Sequence, residues 1–387
     1  MALDKIIALN ELHDHLTDCP GVVKDDPYLL MQSVKGVRNY RKRNQIALLD
    51  DWSHRLHSFV IDPSNETYVH GRIYNTIPSS MDDQEDSTPD RIDLTGYYTN
   101  MIRGFSHIKG EKGAFASVEK ILDQVQELSE YNTQCKKNGT NSIATAQLKV
   151  NAYNLLLTVY RDNRQEESSR KALQLLEDMI KSSESLTDLP APTDQSYAIC
   201  ISSLIHLKDT EFSKKRAEQL LTKFESFNKG TEIDVNRTSK PYNAFLELLV
   251  RYFEKTKSQS ADLLPSCSGV IHRMEKLGIK PDASTWSMML RACGTVTSDV
   301  IDSTEKLETA NDIFEKLISE DDAKAMQEDA DNSNIINDKC FFYMMKCVAK
   351  HTSDNEEKRE NVSKLFSTGK LLICIFASTQ SDKTHYQ

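Results

Sequence analysis

Two places in this sequence put histidines and acids close enough together to hold a metal. His13 and His15 flank Asp14, and His54 and His57 share a helix face beside Asp50 and Asp51. Imidazole and carboxylate suit zinc, but a zinc site needs three or four ligands converging on one point. Neither place offers a further ligand at a zinc-type spacing, so no metal centre is expected. The eight cysteines stand singly, at Cys19, Cys135, Cys200, Cys267, Cys293, Cys340, Cys347 and Cys374, and none forms Cys-x-x-Cys. Five of them, from Cys200 to Cys347, fall on expected helices, where a free thiol behaves as a small apolar side chain. Scattered thiols in a large helical chain read as a reduced protein rather than a disulfide scaffold. There is no glycine-rich phosphate loop and no nucleophile elbow. With 13 glycines in 387 residues, the chain is poor in the residue such loops require. The chemistry expected is therefore non-catalytic, without cofactor and without a small-molecule substrate.

What recurs instead is a pattern of helices. Tyr153-Asn154-Leu155-Leu156-Leu157, Tyr197-Ala198-Ile199-Cys200-Ile201, Tyr242-Asn243-Ala244-Phe245-Leu246 and Trp286-Ser287-Met288-Met289-Leu290 open equivalent helices, their aromatics 44, 45 and 44 residues apart. A weaker copy begins at Tyr98 and another at Phe342-Tyr343-Met344-Met345. Each is followed by a second helix with apolar residues at offsets of 3, 4 and 7 from a leading, usually small, residue. Ala172, Leu175, Leu176 and Met179 form one such stripe. Ala217, Leu220, Leu221 and Phe224 form another, as do Cys267, Val270, Ile271 and Met274, and Ala310, Ile313, Phe314 and Leu317. The early copy is Val118, Ile121, Leu122 and Val125. Those offsets describe one face of an α-helix.

A single helix pair cannot bury such a face, but stacked pairs can. The expected fold is all-α: a right-handed α-solenoid superhelix of stacked helix-turn-helix repeats with long polar inter-repeat loops. The expected division is an N-terminal helical region over 1–60, an acidic linker over 61–94, the repeat array over 95–366 and a C-terminal tail over 367–387.

These residues resemble the pentatricopeptide repeat family. The family's pattern is an aromatic-Asn helix start, a small-x-x-Leu-hydrophobic-x-x-Met second helix and a closing Gly-Ile-x-Pro-Asp. Met274-Glu275-Lys276-Leu277-Gly278-Ile279-Lys280-Pro281-Asp282 is the most specific match, and the likeness runs from about residue 95 to 366. The units here, at 44 residues or more, exceed the family's period of about 35. The surplus is read as polar runs between helices, such as Glu254 to Ser260 and Ser182 to Leu189.

The resemblance implies recognition of single-stranded RNA, one base per repeat. It pairs the residue after the first-helix aromatic with an Asp-like residue at the end of the same repeat. Carried onto this sequence, Asn154 pairs with Asp194 and Asn243 with Asp282, both uracil-preferring combinations. Ser287 with Asp338 resembles a guanine-preferring one, and Ala198 with Thr238 fits no favoured pair. The positions two before the aromatic, aliphatic in the family, are here Asn151, Gln195, Lys240 and Ser284; Lys240 is placed to contact phosphate instead. The resemblance implies a role in organelle RNA processing, stability or translation, in a mitochondrion or plastid. A helical-repeat adaptor binding protein partners, as tetratricopeptide-like solenoids do, stays open beside it.

Charge bears on that choice. The net charge is −10, which by itself opposes a nucleic-acid partner. Asp82 to Asp93 carries −5 and Glu320 to Asp338 carries −6, so the remainder of the chain stands at about +1. Both acidic runs are read as inter-repeat loops. The densest basic run is Arg38, Arg41, Lys42 and Arg43. No membrane partner is expected, since the apolar run Leu371 to Ala377 is too short to span a bilayer. Met1 to Leu16 carries Asp4, Glu11 and Asp14, unlike a signal peptide or an Arg-rich transit peptide.

Overall fold

The computed structural model describes residues 92–107, 112–139, 144–185, 189–227, 238–256, 262–295, 303–325 and 338–351, with scattered positions between 50 and 61. The His13–Asp14–His15 cluster, the basic run at Arg38, Cys19, Cys374, nearly all of the 1–60 region and the 367–387 tail lie outside the described residues.

Eleven α-helices account for nearly all of the described chain. They are α1 (Thr95–Ser106), α2 (Lys112–Asn138), α3 (Val150–Asp162), α4 (Glu166–Ser185), α5 (Asp194–Ser203), α6 (Thr210–Phe227), α7 (Lys240–Thr256), α8 (Leu263–Lys276), α9 (Ala283–Thr295), α10 (Ser303–Ala325) and α11 (Asp338–His351). A 3₁₀ turn, Leu204–His206, follows α5. The fold is an all-α helical repeat.

The chain divides into two compact units, Met1–Ser196 and Tyr197–Gln387. In the first, α1 packs on α2 and α3, and α3 on α4. In the second, α7 packs on α6, α8 and α9, while α9 packs on α10 and α11. Helices α1, α7 and α9 therefore each meet their own hairpin partner and the odd-numbered helix of the next pair. That is the contact pattern of stacked hairpins, in which each pair covers a face its neighbour leaves open.

The apolar stripes form the core. Ala217, Leu220, Leu221 and Phe224 are all buried, as are Cys267, Val270, Ile271 and Met274, and Ala310, Ile313, Phe314 and Leu317. Ala172, Leu176 and Met179 are buried with Leu175 half-exposed, and Val118 and Ile121 are buried with Leu122 and Val125 half-exposed. The aromatics that open the first helices pack between layers: Tyr197 lies 5.4 Å from Phe224, and Phe224 lies 6.1 Å from Tyr242, centroid to centroid.

The turn between α8 and α9 follows from its sequence. Gly278 sits at φ +71°, where a side chain is strained. Its amide donates to the Glu275 carbonyl and the Ile279 amide to that of Met274, both at 2.9 Å. This closes the end of α8 in a Schellman-type turn, with Ile279 and Met274 both buried.

Four expectations need correction. The polar runs at Ser182 and Glu254 begin inside helices, because α4 continues to Ser185 and α7 to Thr256. Part of the extra repeat length is therefore helix, as in α2, which runs for 27 residues. The acidic run from Glu320 likewise starts within α10, which ends at Ala325, and finishes on the first residue of α11. The acidic linker does not remain unstructured to residue 94. Ile92–Asp93 pairs in parallel with Ala144–Thr145, and Leu94 is fully buried. Finally, the aromatic that anchors α11 is Phe341, 3% exposed, rather than Phe342, 57% exposed. The doublet Phe-Phe hid this one-residue shift.

Candidate nucleic-acid interface

The first helices present their amino ends to the loops that close the preceding hairpins, and polar side chains concentrate there. Asp282 stands immediately before α9, at its N-cap. Its Oδ1 accepts the Thr285 amide at 2.8 Å, while the Thr285 hydroxyl accepts the Asp282 amide at 3.1 Å. This reciprocal box satisfies two backbone donors that the first helical turn otherwise leaves open. Asn243, in the first turn of α7, joins the box from the repeat before. Its Nδ2 donates to both Asp282 oxygens, at 3.0 and 3.2 Å, and its Oδ1 accepts the Thr285 hydroxyl at 2.7 Å. Ser239 also donates to Asp282. The expected pair Asn243 and Asp282 is thus in direct contact.

Burial pushes the Asp282 carboxyl up. Hydrogen bonds from Ser239, the Thr285 amide, Asn243 and the Thr285 hydroxyl outweigh that and hold it below its ordinary value. The carboxylate is charged at neutral pH and fixes which way the Asn243 amide faces. Lys240, the exposed first residue of α7, lies one turn before Asn243.

The same construction recurs around Asn154, with one difference. Asn154 Nδ2 donates to the Thr193 hydroxyl at 3.2 Å, and the Ser196 hydroxyl donates to Asn154 Oδ1 at 2.6 Å. The sequence separations, 39 and 42 residues, are those of Asn243 to Asp282 and to Thr285. Thr193, the residue before α5, therefore holds the place that Asp282 holds before α9. The pairing of Asn154 with Asp194 is off by one residue: Asp194 is the first residue of α5 and lies one past the cap. A neutral hydroxyl replaces the carboxylate, so a proton donor and acceptor stands where the other repeat has only an acceptor.

Ser287 and Asp338 do not come together as expected. The Ser287 hydroxyl is fully buried and donates to the Ser284 carbonyl at 2.9 Å within its own helix. Asp338 is exposed and accepts the Lys339 amide at 3.0 Å. With Phe341 as the anchoring aromatic, the position matching Asp282 before α11 moves to residue 337, outside the described residues. The polar positions two before the aromatics lie at the helix surface: Asn151, Lys240 and Ser284 are exposed and Gln195 is half-exposed.

Sequence reading missed Thr193, Ser196, Ser239 and Thr285. Thr193 stands four residues before the buried Tyr197 as Asp282 stands four before Trp286, Ser196 and Thr285 stand one before those aromatics, and Ser239 stands three before Tyr242.

The histidines of the 50–61 segment diverge. His57 is buried, with Nε2 at 2.7 Å from Glu127 and Nδ1 at 3.5 Å from the Tyr98 hydroxyl. His54 is exposed and contacts Ser58, while Asp50 accepts the Ser117 hydroxyl at 2.9 Å. Among the described residues, no three His, Cys, Asp or Glu side chains could hold a metal. No helix among them is long and apolar enough to cross a membrane.

No family model matches this sequence, and no curated protein matches it. Among solved structures, the crystal structure of the pentatricopeptide repeat protein PPR10 from maize aligns with 89% of this chain at 13% identity and a TM-score of 0.28. The chain spans half the length of that protein. A likeness at that level carries no argument, and the helical-repeat fold stands on the helix pairing and burial described above.

Proposed function

We propose that this chain is a non-catalytic helical-repeat protein that binds single-stranded RNA through the amino ends of its first helices, one base to a repeat. The observation that carries this reading is the Asn243–Asp282 contact, repeated in form at Asn154 and Thr193. In each case an amide able both to donate and to accept is oriented by fixed neighbours at the edge of a helix. Asn243 keeps an unused acceptor lone pair on Oδ1 after the Thr285 bond, and a base edge can compete for the second amide hydrogen, whose other contact is a 3.3 Å approach to Ser239. Those groups can meet a pyrimidine edge, while Lys240 meets the adjacent phosphate. The role extends, by the family resemblance alone, to RNA processing, stability or translation in a mitochondrion or plastid.

Binding to U-rich RNA of roughly ten nucleotides, matched to one base per repeat, tests this by fluorescence anisotropy across a salt series. The expected result is sequence-selective binding that Asn243→Ala weakens while salt dependence persists. Binding blind to both sequence and mutation would overturn base reading. The second reading, a helical-repeat adaptor for a protein partner, draws on the net charge of −10 and the polar side chains at Asn151, Gln195, Lys240 and Ser284, which stack poorly on bases.

A further inference from the structure

One position near the start of α11 departs from α3 and α7. Phe341 and Trp286 are each the fourth residue of their helix, and both are buried. The two helices run side by side in the same direction. Cys340 Sγ donates to the Ala283 carbonyl, Cys347 Sγ to that of Leu290, and Lys350 Nζ to that of Gly294. Counted from the buried aromatic, Phe342 follows Phe341 as Asn154, Asn243 and Ser287 follow Tyr153, Tyr242 and Trp286. Where two repeats carry an oriented amide, this one carries an aromatic ring that is 57% exposed.

Phe342 meets Tyr343 edge-on, with centroids 5.3 Å apart and planes at 71°. The Arg291 guanidinium lies 5.9 Å from the Tyr343 ring, and Arg291 is itself held by Glu254 at 2.8 Å. Lys339, one turn before Phe342, and Lys346, one turn after, are both exposed on the same helix face. Asp338 is the acid nearest that stripe in sequence, and it is engaged with the Lys339 amide. Lys350 is drawn away to the end of α9. An exposed aromatic flanked by cations suits a base with a phosphate on either side, because every base has a face to stack while only its edge carries identity.

We propose that Phe342 supplies a sequence-tolerant stacking step for single-stranded RNA, with Lys339 and Lys346 on the neighbouring phosphates. This rests on the RNA-binding reading above and adds a position that holds a base without reading it.

The test uses the full chain and U-rich RNA of roughly ten nucleotides, together with variants of that RNA carrying each other base at either end. Phe342→Ala is expected to weaken binding roughly tenfold, by a similar factor for every base, and Phe342→Trp to preserve it. The indole of Phe342→Trp is expected to lose fluorescence on RNA binding. Lys339→Ala with Lys346→Ala is expected to lower the slope of affinity against salt by about 1.4, two single-strand contacts' worth. Wild-type binding that responds to Asn243→Ala but not to Phe342→Ala would overturn the stacking step and leave base reading intact. A Phe342→Ala loss confined to one base would overturn it in favour of edge recognition. No binding by the wild type would overturn both. Altered sedimentation in Phe342→Ala with unchanged RNA affinity would assign the ring to a protein contact and overturn the proposal.

Discussion

Asn243 donates to Asp282 at 3.0 Å, and Asp282 in turn caps the first helix of the following repeat. One residue thereby serves two hairpins. Asp282→Ala removes the cap and is expected to cost about 1 kcal/mol, typical of a lost Asp N-cap. For a unit of this size that lowers Tm by about 2–4 °C. Differential scanning calorimetry checks it, and an unchanged midpoint would mean that Asn243 and Asp282 do not support the helix.

The same carboxyl gives stability a pH dependence. Because Asp282 is held below its ordinary value in the folded protein, its contribution is full above the unfolded carboxylate range. It is lost as pH falls through the lower folded value. Between about pH 5 and pH 2 the wild type should lose more stability than Asp282→Asn, which has no such proton to bind. Urea titrations of both proteins across that window check the sign.

Gly278 makes a cleaner test of backbone strain. A Cβ added there meets nothing within 4 Å, so Gly278→Ala carries no clash. Its expected cost, about 1 kcal/mol, comes from the positive φ alone. Gly278→Asn, which tolerates that conformation better, is expected to cost less. Chemical denaturation of the two variants should rank them in that order.

Glu225 joins three helices, accepting Tyr242 Oη at 3.1 Å and Arg273 Nε and Nη2 at 3.0 and 2.9 Å. Its side chain is 15% exposed. Glu225→Ala would leave Arg273 with a 3.4 Å contact to the Thr222 hydroxyl and a 3.9 Å approach to Glu218, and should cost about 2 kcal/mol. Glu166→Ala, which breaks a more exposed pair with Arg170 inside one helix, should cost under about 0.5 kcal/mol. Urea denaturation midpoints separate the two cases.

Cys200, Cys267 and Cys293 are buried, and burial is the largest of the influences that push their thiols up to about 12. At neutral pH almost none of each is thiolate, the nucleophilic form. Iodoacetamide should leave all three unmodified in the native protein and label them in urea, as read by peptide mass spectrometry.

Much of this was legible beforehand. The second-helix stripes lie in the core because an offset of 3, 4 and 7 has one solution on a helix. The Gly-Ile-x-Pro-Asp turn was legible because glycine and proline restrict the backbone locally. What escaped were single-residue registers. Asp194 and Thr193 are adjacent and both polar, and only the helix start separates the cap from the first turn. Phe341 and Phe342 are chemically identical, so burial alone tells them apart. Helix ends escaped too, because Ser182 to Ser185 and Glu320 to Ala325 have polar composition that suits an exposed helix as well as a loop.

The shared use of Asn243 has a consequence for how such a protein could change what it recognises. On the RNA-binding proposal, a letter of the code is also a fastener between neighbouring hairpins, so it could not be rewritten alone. Exchanging Asn243 alters the hold on Asp282 and Thr285, and exchanging Asp282 unseats the helix behind it. On that proposal, new specificity would arrive as small sets of matched replacements at 243, 282 and 285. Phe342 makes no such bond across a repeat boundary among the described residues, and it is free to vary one residue at a time.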